Sequence, residues 1–385
     1  MLNRQVKPLK TDSFFLFGPR GVGKTTLLRS YLNEDKVLYI NLLNADEEEQ
    51  LALRPELLRE RINASSNIDW IVIDEIQKIP KLLDIVHNVL ETPGNNIKFA
   101  LTGSSARKLK KHGTNLLAGR AFINNMFPFL YSELREQFNL KHFLLFGGLP
   151  KIYSLDSDLR KQEFLRSYAQ TYLKEEIWAE HIIRNLDLFR KFLELAAQSN
   201  GEIINFSKIA KQIGTTTATA QSYFDILEET LVGFFLESYT TSVRKRIVAS
   251  PKFYFFDTGV KRALDRTVAN DVRESTYEYG KLFETFILTQ IRALIAYSRK
   301  DYTLHYIKTK DGAEVDLVID RPGKNLMLIE IKSSQMVLET ELKNLKIYSK
   351  DLLGEAFCVC QESQARKVDD VLVMPWQQFL DSFLL

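Results

Sequence analysis

The sequence predicts an α/β chain in several parts: a parallel sheet wrapped by helices, a mostly helical stretch, a helix-and-hairpin segment and a second α/β domain. Three observations carry that prediction. A glycine-rich loop, Gly18–Thr25, reads GPRGVGKT between the apolar run Phe14–Phe17 and the helical pattern TTLLRSYL. An apolar run at Trp70–Ile73 ends in adjacent acids, Asp74 and Glu75. Two further apolar runs, Val315–Ile319 and Leu326–Lys332, are separated by a Pro-Gly turn.

The first observation is G-x-x-x-x-G-K-T in strand–loop–helix context, the pattern of a P-loop. Backbone N–H groups of such a turn and of the helix N-terminus wrap the α- and β-phosphates of a nucleoside triphosphate. Gly18, Pro19, Arg20, Gly21, Val22, Gly23, Lys24, Thr25 and Thr26 are the candidate cofactor-binding residues, with ATP as the expected cofactor. Lys24 would place its ammonium on the β/γ-phosphates, and the Thr25 hydroxyl would complete a Mg²⁺ shell. A glycine turn without ligand is the bland alternative, and the flanking strand and helix weigh against it.

Trp70-Ile71-Val72-Ile73-Asp74-Glu75 reads as a buried parallel strand whose C-terminal end emerges at a ligand crevice. Asp74 would hold Mg²⁺, usually through water, and Glu75 would orient and deprotonate the attacking water. Alone, this pair reads equally as a solvated strand end or a helix cap. Here it falls 50 residues after Lys24 (74 minus 24), room for one strand and two helices.

A third strand, Lys98–Leu101, ends in Thr102-Gly103-Ser104-Ser105, whose small hydroxyl residues, Ser104 foremost, would sense the γ-phosphate or position water, or simply form a turn and helix N-cap. Arg120, in Ala118-Gly119-Arg120, is a candidate arginine finger supplied in cis or by a neighbouring subunit. Arg20 is a second cation near the loop. For each arginine the alternative is a surface charge.

Composition sets limits. With 45% apolar and 26% charged residues, the chain is a folded soluble protein, not a disordered or fibrous one. Its 385 residues leave room for two or three domains. A net charge of +3 permits nucleic-acid contact without requiring it. No run approaches the ~20 apolar residues of a membrane span. The opening MLNRQVKPLKTD lacks the apolar core of a signal peptide, so no membrane partner and a cytoplasmic location are expected. Cys358 and Cys360 alternate along AFCVC with no His or Cys cluster near them, as reduced strand residues would. The histidines show no H-E-x-x-H spacing, which excludes that class of zinc site.

Four segments follow from the texture of the chain. Residues 1–130 alternate short strands (14–17, 37–41, 70–74, 98–102) with helices. Residues 131–186 are mostly helical, broken by Gly147-Gly148-Leu149-Pro150, and read as a lid or connector. Residues 187–257 give a helix at Leu188–Gln198, a short helix Lys208–Ile213 capped by Ser207, a turn at Gly214 and a helix at Thr215–Leu231. Followed by strands, that is the order of a winged helix. Thr216, Thr217, Thr219 and Gln221 would then open the reading helix, with Arg244, Lys245 and Arg246 on the wing, and DNA as a partner. A winged helix used only for packing or protein contact is the alternative.

Residues 258–385 carry the less obvious chemistry. A Pro-Gly turn between apolar strands argues for an antiparallel hairpin. Gly323 lies midway between 316 and 330, so Asp316 would face Glu330, with Lys332 on the same face as Glu330. Opposed carboxylates repel unless a cation or a shared proton intervenes, and Mg²⁺ suits hard oxygen ligands. Glu284, on the amphipathic helix Tyr279–Leu294, would supply a further ligand or orient one. Helix-Glu, strand-Asp and Glu-x-Lys form the PD-(D/E)XK nuclease constellation, in which the acids (Glu284, Asp316, Glu330) bind metal and Lys332 helps activate water. A cross-strand ion pair of Glu314 with Lys332, without catalysis, is the competing reading.

The order GPRGVGKT, WIVIDEIQKIP, LTGSSA, LAGRA, FPFLYSEL and FGGLPKIY resembles the prokaryotic AAA-type ATPases that carry a C-terminal domain of unknown function. That terminal domain is similar to restriction-endonuclease-like nucleases, and EVDLVI with LIEIKSS matches its core. The resemblance implies a P-loop NTPase (AAA+-like) core, a winged-helix segment and a nuclease-like terminus. Its motifs fall on Gly18, Gly23, Lys24, Thr25, Asp74, Glu75, Ser104 and Arg120, and on Glu284, Asp316, Glu330 and Lys332. The expected protein is a Mg²⁺-dependent ATPase whose cycle moves a DNA-directed module, with a homo-oligomer permitted. The alternative is a nucleotide-controlled switch whose nuclease-like domain is a protein-interaction scaffold.

Overall fold

The computed structural model describes residues 2–32, 35–65, 67–105, 117, 119–172, 185–240, 250–309 and 312–383. Arg244, Lys245 and Arg246 lie outside the described residues, as does Ala118. The chain forms two compact units. One comprises Met1–Phe129 with Glu229–Val232; the other comprises Leu130–Glu228 and Gly233–Leu385.

The first unit is built on five strands: β1 (Ser13–Phe17), β2 (Val37–Asn41), β3 (Trp70–Asp74), β4 (Lys98–Gly103) and β5 (Ala121–Asn125). Their order is β2-β3-β4-β1-β5, and every pairing is parallel. SFFLF and WIVID are buried at every position, which demands helices on both faces of the sheet. These include α1 (Lys24–Tyr31), α2 (Ala45–Leu53), α3 (Leu57–Ala64) and α4 (Leu82–Glu91). Leu51, Leu58, Ile62, Leu82 and Val86 pack from the helices onto Phe15, Phe17, Ile71, Ile73 and Leu101. Because β4 lies between β1 and β3, the C-terminal ends of these three strands open side by side. The apolar runs in the sequence mark only four of the five strands. The fifth, AFINN, is a sheet edge with Phe122 and Ile123 about half exposed, so it carries no buried apolar run to announce it.

The second unit opens with α5 (Tyr131–Leu134), α6 (Leu140–Phe146) and α7 (Asp158–Ser167). Then come α8 (Leu186–Gln198), α9 (Phe206–Ile213), α10 (Thr217–Glu229) and the antiparallel pair β6 (Gly233–Ser238) and β7 (Lys252–Phe255). Ile203 bridges to Lys252 and adds a third short strand position to that pair. Phe189, Phe192, Phe206, Tyr223, Phe224 and Phe253 form the aromatic core that fixes the three helices on the hairpin. Asn205, not Ser207, caps α9: its side chain accepts from Lys208 N–H at 2.9 Å, while the Ser207 hydroxyl donates to Asn205. An amide two residues further out reaches the free N–H groups better than the short hydroxyl.

The remainder runs α11 (Thr258–Leu264), α12 (Tyr277–Tyr297), β8 (Thr303–Lys308), β9 (Glu314–Asp320), β10 (Met327–Ile331), α13 (Lys343–Asp351) and β11 (Glu355–Cys360). The chain closes with β12 (Arg366–Val368), β13 (Val371–Pro375) and α14 (Trp376–Asp381). β8/β9 and β9/β10 are antiparallel, whereas β10/β11 is parallel. Helix α12 thus leads into three antiparallel strands, a helix and a parallel strand. Strand β6 also pairs, in parallel, with β8 through Glu237↔His305 and Ser238↔Tyr306. That pairing fuses the hairpin after α10 to the C-terminal strands as one sheet of order β12-β13-β11-β10-β9-β8-β6-β7.

The Gly147-Gly148 turn has a structural partner. Asp257 caps α11, accepting from Val260 N–H at 3.0 Å, and its other oxygen accepts from Gly148 N–H at 2.7 Å. Gly147 sits at φ +76°, and any Cβ there would run into the Asp257 carboxylate. Only glycine serves at that position. Cys358 and Cys360 are buried free thiols on β11. Among the described residues, no helix is long and apolar enough to cross a membrane.

Candidate active site

At the end of β1 the loop Gly18–Gly23 turns back over the sheet. Gly21 and Gly23 take φ of 77° and 95°, which L side chains resist. Gly18 is needed for space: a Cβ would strike the Met126 carbonyl oxygen. Helix α1 starts at Lys24 with no side-chain cap and no acid in its first turn. Its first N–H groups, with the dipole behind them, therefore face the loop ready for an anion. Arg4 straps the loop from outside, donating to Val22 O at 2.8 Å and Phe127 O at 2.5 Å.

Lys24 is buried, with its ammonium on Gly18 O at 2.7 Å and Pro19 O at 3.2 Å. Its Nζ lies 4.0 Å from Glu75 Oε1, so one cation faces both the loop and the adjacent acid. Thr25 Oγ1 donates to Asp74 Oδ2 at 2.7 Å. Tyr39, on β2, donates to that same oxygen at 2.8 Å, while Thr102 donates to Asp74 Oδ1. Burial, then the Asp74 charge, pushes the Tyr39 hydroxyl well above the usual tyrosine range, so it stays a donor. Glu75 sits at φ 63°, a costly conformation for a non-glycine residue, with its N–H held by Thr102 Oγ1 at 3.0 Å. Gln77 Nε2 donates to Glu75 Oε2 at 2.5 Å and to Ser104 Oγ at 3.0 Å.

Lys24, Thr25, Asp74, Glu75 and Ser104 thus meet at one end of the sheet. Arg20 and Thr26 are exposed on the loop and the first turn of α1. The donor set fits a hard divalent cation: Thr25 Oγ1 and Asp74 Oδ2, both oxygens and hydrogen-bonded to each other, are the pair that would hold it beside a triphosphate.

The structure corrects one assignment. Ser13 pairs with Ala121, so Arg120 sits at the N-terminal end of the sheet, opposite the P-loop. It pairs there with Glu91 at the end of α4. Five residues of strand, roughly 16 Å, separate that level from Phe17, so Arg120 does not reach its own chain's nucleotide loop. Tyr39, Gln77 and Arg4 belong to the site without being marked in the sequence as site residues, and Thr102 is marked only as one of the small hydroxyls at its strand tip. Its signal is its place at the tip of the strand beside Asp74.

The C-terminal cluster follows the expected register. The pairs Met327↔Ile319, Leu328↔Val318 and Ile329↔Leu317 hold the register centred on Gly323, which extended by one residue sets Glu330 opposite Asp316. Asp316 Oδ2 accepts from Ile331 N–H at 2.8 Å. Glu330 Oε1 pairs with Lys332 at 2.8 Å, but its Oε2 is buried without a partner. Burial, then the neighbouring carboxylates (Glu284 for Asp316, Asp316 for Glu330), drives both acids up.

Lysines answer the other acids. Glu284 Oε1 accepts from the Tyr254 hydroxyl at 2.5 Å and lies 3.7 Å from Lys252 Nζ; its Oε2 accepts from Lys281 at 3.3 Å. Glu314 binds Lys252 at 2.5 Å and Lys308 at 2.8 Å, not Lys332. Among the described residues, no three His, Cys, Asp or Glu side chains stand as a metal cage. The set does not fit a metal ion as it stands: Glu284, assigned from sequence as a ligand, has both oxygens engaged, Oε1 by Tyr254 and Lys252 from β7 and Oε2 by Lys281 of its own helix. No sequence signal places residues 62 and 64 positions before Asp316 (316 minus 254, 316 minus 252) in this pocket.

Comparisons agree with the geometry of the first unit. Residues 10–135 match the family described as AAA domain. Residues 137–271 and 279–379 match two domains of unknown function, DUF8612 and DUF4143. An uncharacterized protein of Mycobacterium tuberculosis is 26% identical over 313 residues, 80% of this chain and 68% of that protein. One from Methanocaldococcus jannaschii is 26% identical over 436 aligned positions, covering 98% and 86%. Among solved structures, the ADP form of the Aeropyrum pernix ORC2 protein aligns over 67% of this chain and 88% of its own at 13% identity, TM-score 0.33. AMPPCP-bound DnaA from Aquifex aeolicus aligns over 57% and 83% at 15% identity, TM-score 0.27. At such scores neither likeness carries an inference. The first unit is an AAA-type P-loop domain on a parallel sheet.

Proposed function

We propose that the chain is a Mg²⁺-dependent ATPase whose nucleotide cycle acts on a DNA-directed winged-helix and nuclease-like module. The observation that carries the ATPase reading is the triple attachment of Asp74 to Thr25, Tyr39 and Thr102, with Glu75 and Lys24 4.0 Å apart beside it. Mg²⁺, held from Thr25 and Asp74, would supply charge neutralisation on the β- and γ-phosphate oxygens. The loop N–H groups and Lys24 bind and orient the triphosphate. Glu75, fixed by Gln77 and Thr102, orients the attacking water and takes its proton. Arg120 would act on a neighbouring subunit's nucleotide only by giving up its pair with Glu91.

Three helices followed by an antiparallel pair, with a bridge at Ile203, support the winged-helix reading. The order helix–β–β–β–helix–β, with its carboxylates facing across β9 and β10, supports the nuclease-like one. Helix α10 weakens direct DNA reading: it has no Lys or Arg and three acids, Asp225, Glu228 and Glu229, while Thr216 is engaged with Thr219 at its start. That charge pattern favours, as the second reading, a nucleotide-controlled switch with a protein-interaction surface. No cleavage step is assigned, because lysines already hold Glu284, Glu314 and Glu330.

ATP turnover without DNA, with single-stranded DNA and with duplex DNA tests the proposal. A several-fold rise with either DNA supports it, and equal turnover in all three moves the reading to the switch. Glu75→Gln should bind ATP and barely turn over; full turnover there would sink the ATPase assignment.

A further inference from the structure

We infer that the C-terminal acid pocket is a divalent-cation site whose cation is supplied by the chain itself: the Lys252 ammonium stands where a metal ion would otherwise balance Glu284, Asp316 and Glu314. This rests on the nuclease-like reading of the C-terminal domain and deepens it.

Lys252 opens β7 and is 2% exposed, an extreme rarely reached by lysine without close partners. Its stem crosses the ring of Tyr306, with Nζ 5.4 Å from the centroid. Its head lies 2.5 Å from Glu314 Oε1 and 3.7 Å from Glu284 Oε1. Tyr254, two residues along the same face of β7, delivers its hydroxyl to Glu284 from the same side. Asp316 feels both Glu284 and Lys252. Two acids, Glu284 from a helix and Glu314 from a strand, thus meet one buried ammonium, and Asp316 lies within reach of its charge. Removing one partner of such a group strands the others as uncompensated buried charges, and a hard divalent cation is the substitute that oxygen ligands accept. The buried, partnerless Oε2 of Glu330, whose carboxylate faces Asp316, is a further acceptor at the same pocket.

The consequence is a nuclease-like domain that does not take up metal as built. Lys252 belongs to the hairpin that follows α10 and reaches α12 and β9, tying the winged-helix segment to the acid pocket by charge. The module would then hold nucleic acid or a partner without cutting.

The test is Mn²⁺ binding to the full chain without nucleotide, followed by electron paramagnetic resonance and by the shift in melting temperature. It is made in a Lys24→Ala background to silence the P-loop. The Lys24→Ala parent should show no specific Mn²⁺. Adding Lys252→Met should create one site at least about tenfold tighter than any in the parent, raise the melting temperature on Mn²⁺ addition, and lose both effects with Asp316→Asn. If Lys252→Met does not fold, Lys252→Gln keeps a neutral polar head in the pocket with every carboxylate in place, and the same Mn²⁺ site is expected in it. A parent that already binds one Mn²⁺, abolished by Asp316→Asn, overturns the inference and leaves the nuclease-like reading standing. Folded Lys252 variants that bind no Mn²⁺ overturn the inference and the metal-site reading of the domain together.

Discussion

Thr102 and Asp74 are joined across adjacent parallel strands: the Thr102 hydroxyl donates to Asp74 Oδ1 and, as acceptor, holds the N–H of Glu75 at 3.0 Å. One side chain thereby fixes the acid that would carry the metal and the backbone of the acid that would activate water. Thr102→Val keeps the volume and removes both bonds. Turnover of ATP should fall roughly 10- to 100-fold while nucleotide affinity changes less than about threefold, since the loop itself is untouched. Phosphate release and fluorescent-nucleotide titration separate the two quantities. An equal loss in both would place Thr102 in folding of the loop instead.

Gln77 gives a graded version of the same test. Its amide holds Glu75 Oε2 and Ser104 Oγ from the short helix after β3. Gln77→Ala should free the Glu75 carboxylate to turn, lowering turnover by about tenfold, well short of the loss in Glu75→Gln. A double variant no slower than Glu75→Gln alone would show that Gln77 acts through Glu75.

The nucleotide loop is legible in the sequence because its chemistry is local. Glycines at φ 77° and 95°, a lysine and a threonine at fixed spacing state one backbone path. Asp316 and Glu330 are legible because a two-residue period and a short turn set their register. What stays hidden arrives from a distance in sequence: Tyr39 on the strand beside Asp74, Arg4 on the loop from outside, Lys252 and Tyr254 from a hairpin that joins the sheet through β8. The reading of Arg120 as a finger for its own chain's nucleotide fails for a related reason. A motif says which residue is present, whereas the pairing of β5 with β1 decides which end of the sheet it occupies.

Asp257 should make stability depend on pH. Burial pushes its carboxyl up to about 6, despite backbone N–H bonds from Gly148, Val260 and Gly259 that pull the other way. The folded state therefore keeps a proton that the unfolded chain releases near pH 4. That contribution is fully present below about pH 4 and is lost as pH rises through about 6, by an amount on the order of 2–3 kcal/mol. Asp257→Asn, neutral at every pH, should lack this slope. Denaturant unfolding at a series of pH values between 4 and 7 checks it, and identical slopes for the two proteins would show that Asp257 stays ionised in the fold.

The wing decides between DNA and protein as the partner. Helix α10 presents no cation, so any phosphate binding by this segment must draw on Arg244, Lys245 and Arg246 or on Lys208 and Lys211, which are exposed on α9. Replacing 244–246 by alanine should weaken duplex binding at least about tenfold near 0.1 M salt. It should also flatten the dependence of log affinity on log salt by up to about 2–3 units, roughly 0.9 for each phosphate no longer neutralised. Because these cations would grip phosphate and not base edges, unrelated duplexes should lose affinity equally. Unchanged affinity and slope would move the phosphate-binding cations off the wing. Binding too weak to measure in the unaltered chain would instead make the acidic face of α10 a surface for a basic protein partner, to be sought with Asp225→Lys and Glu228→Lys as the disrupting changes.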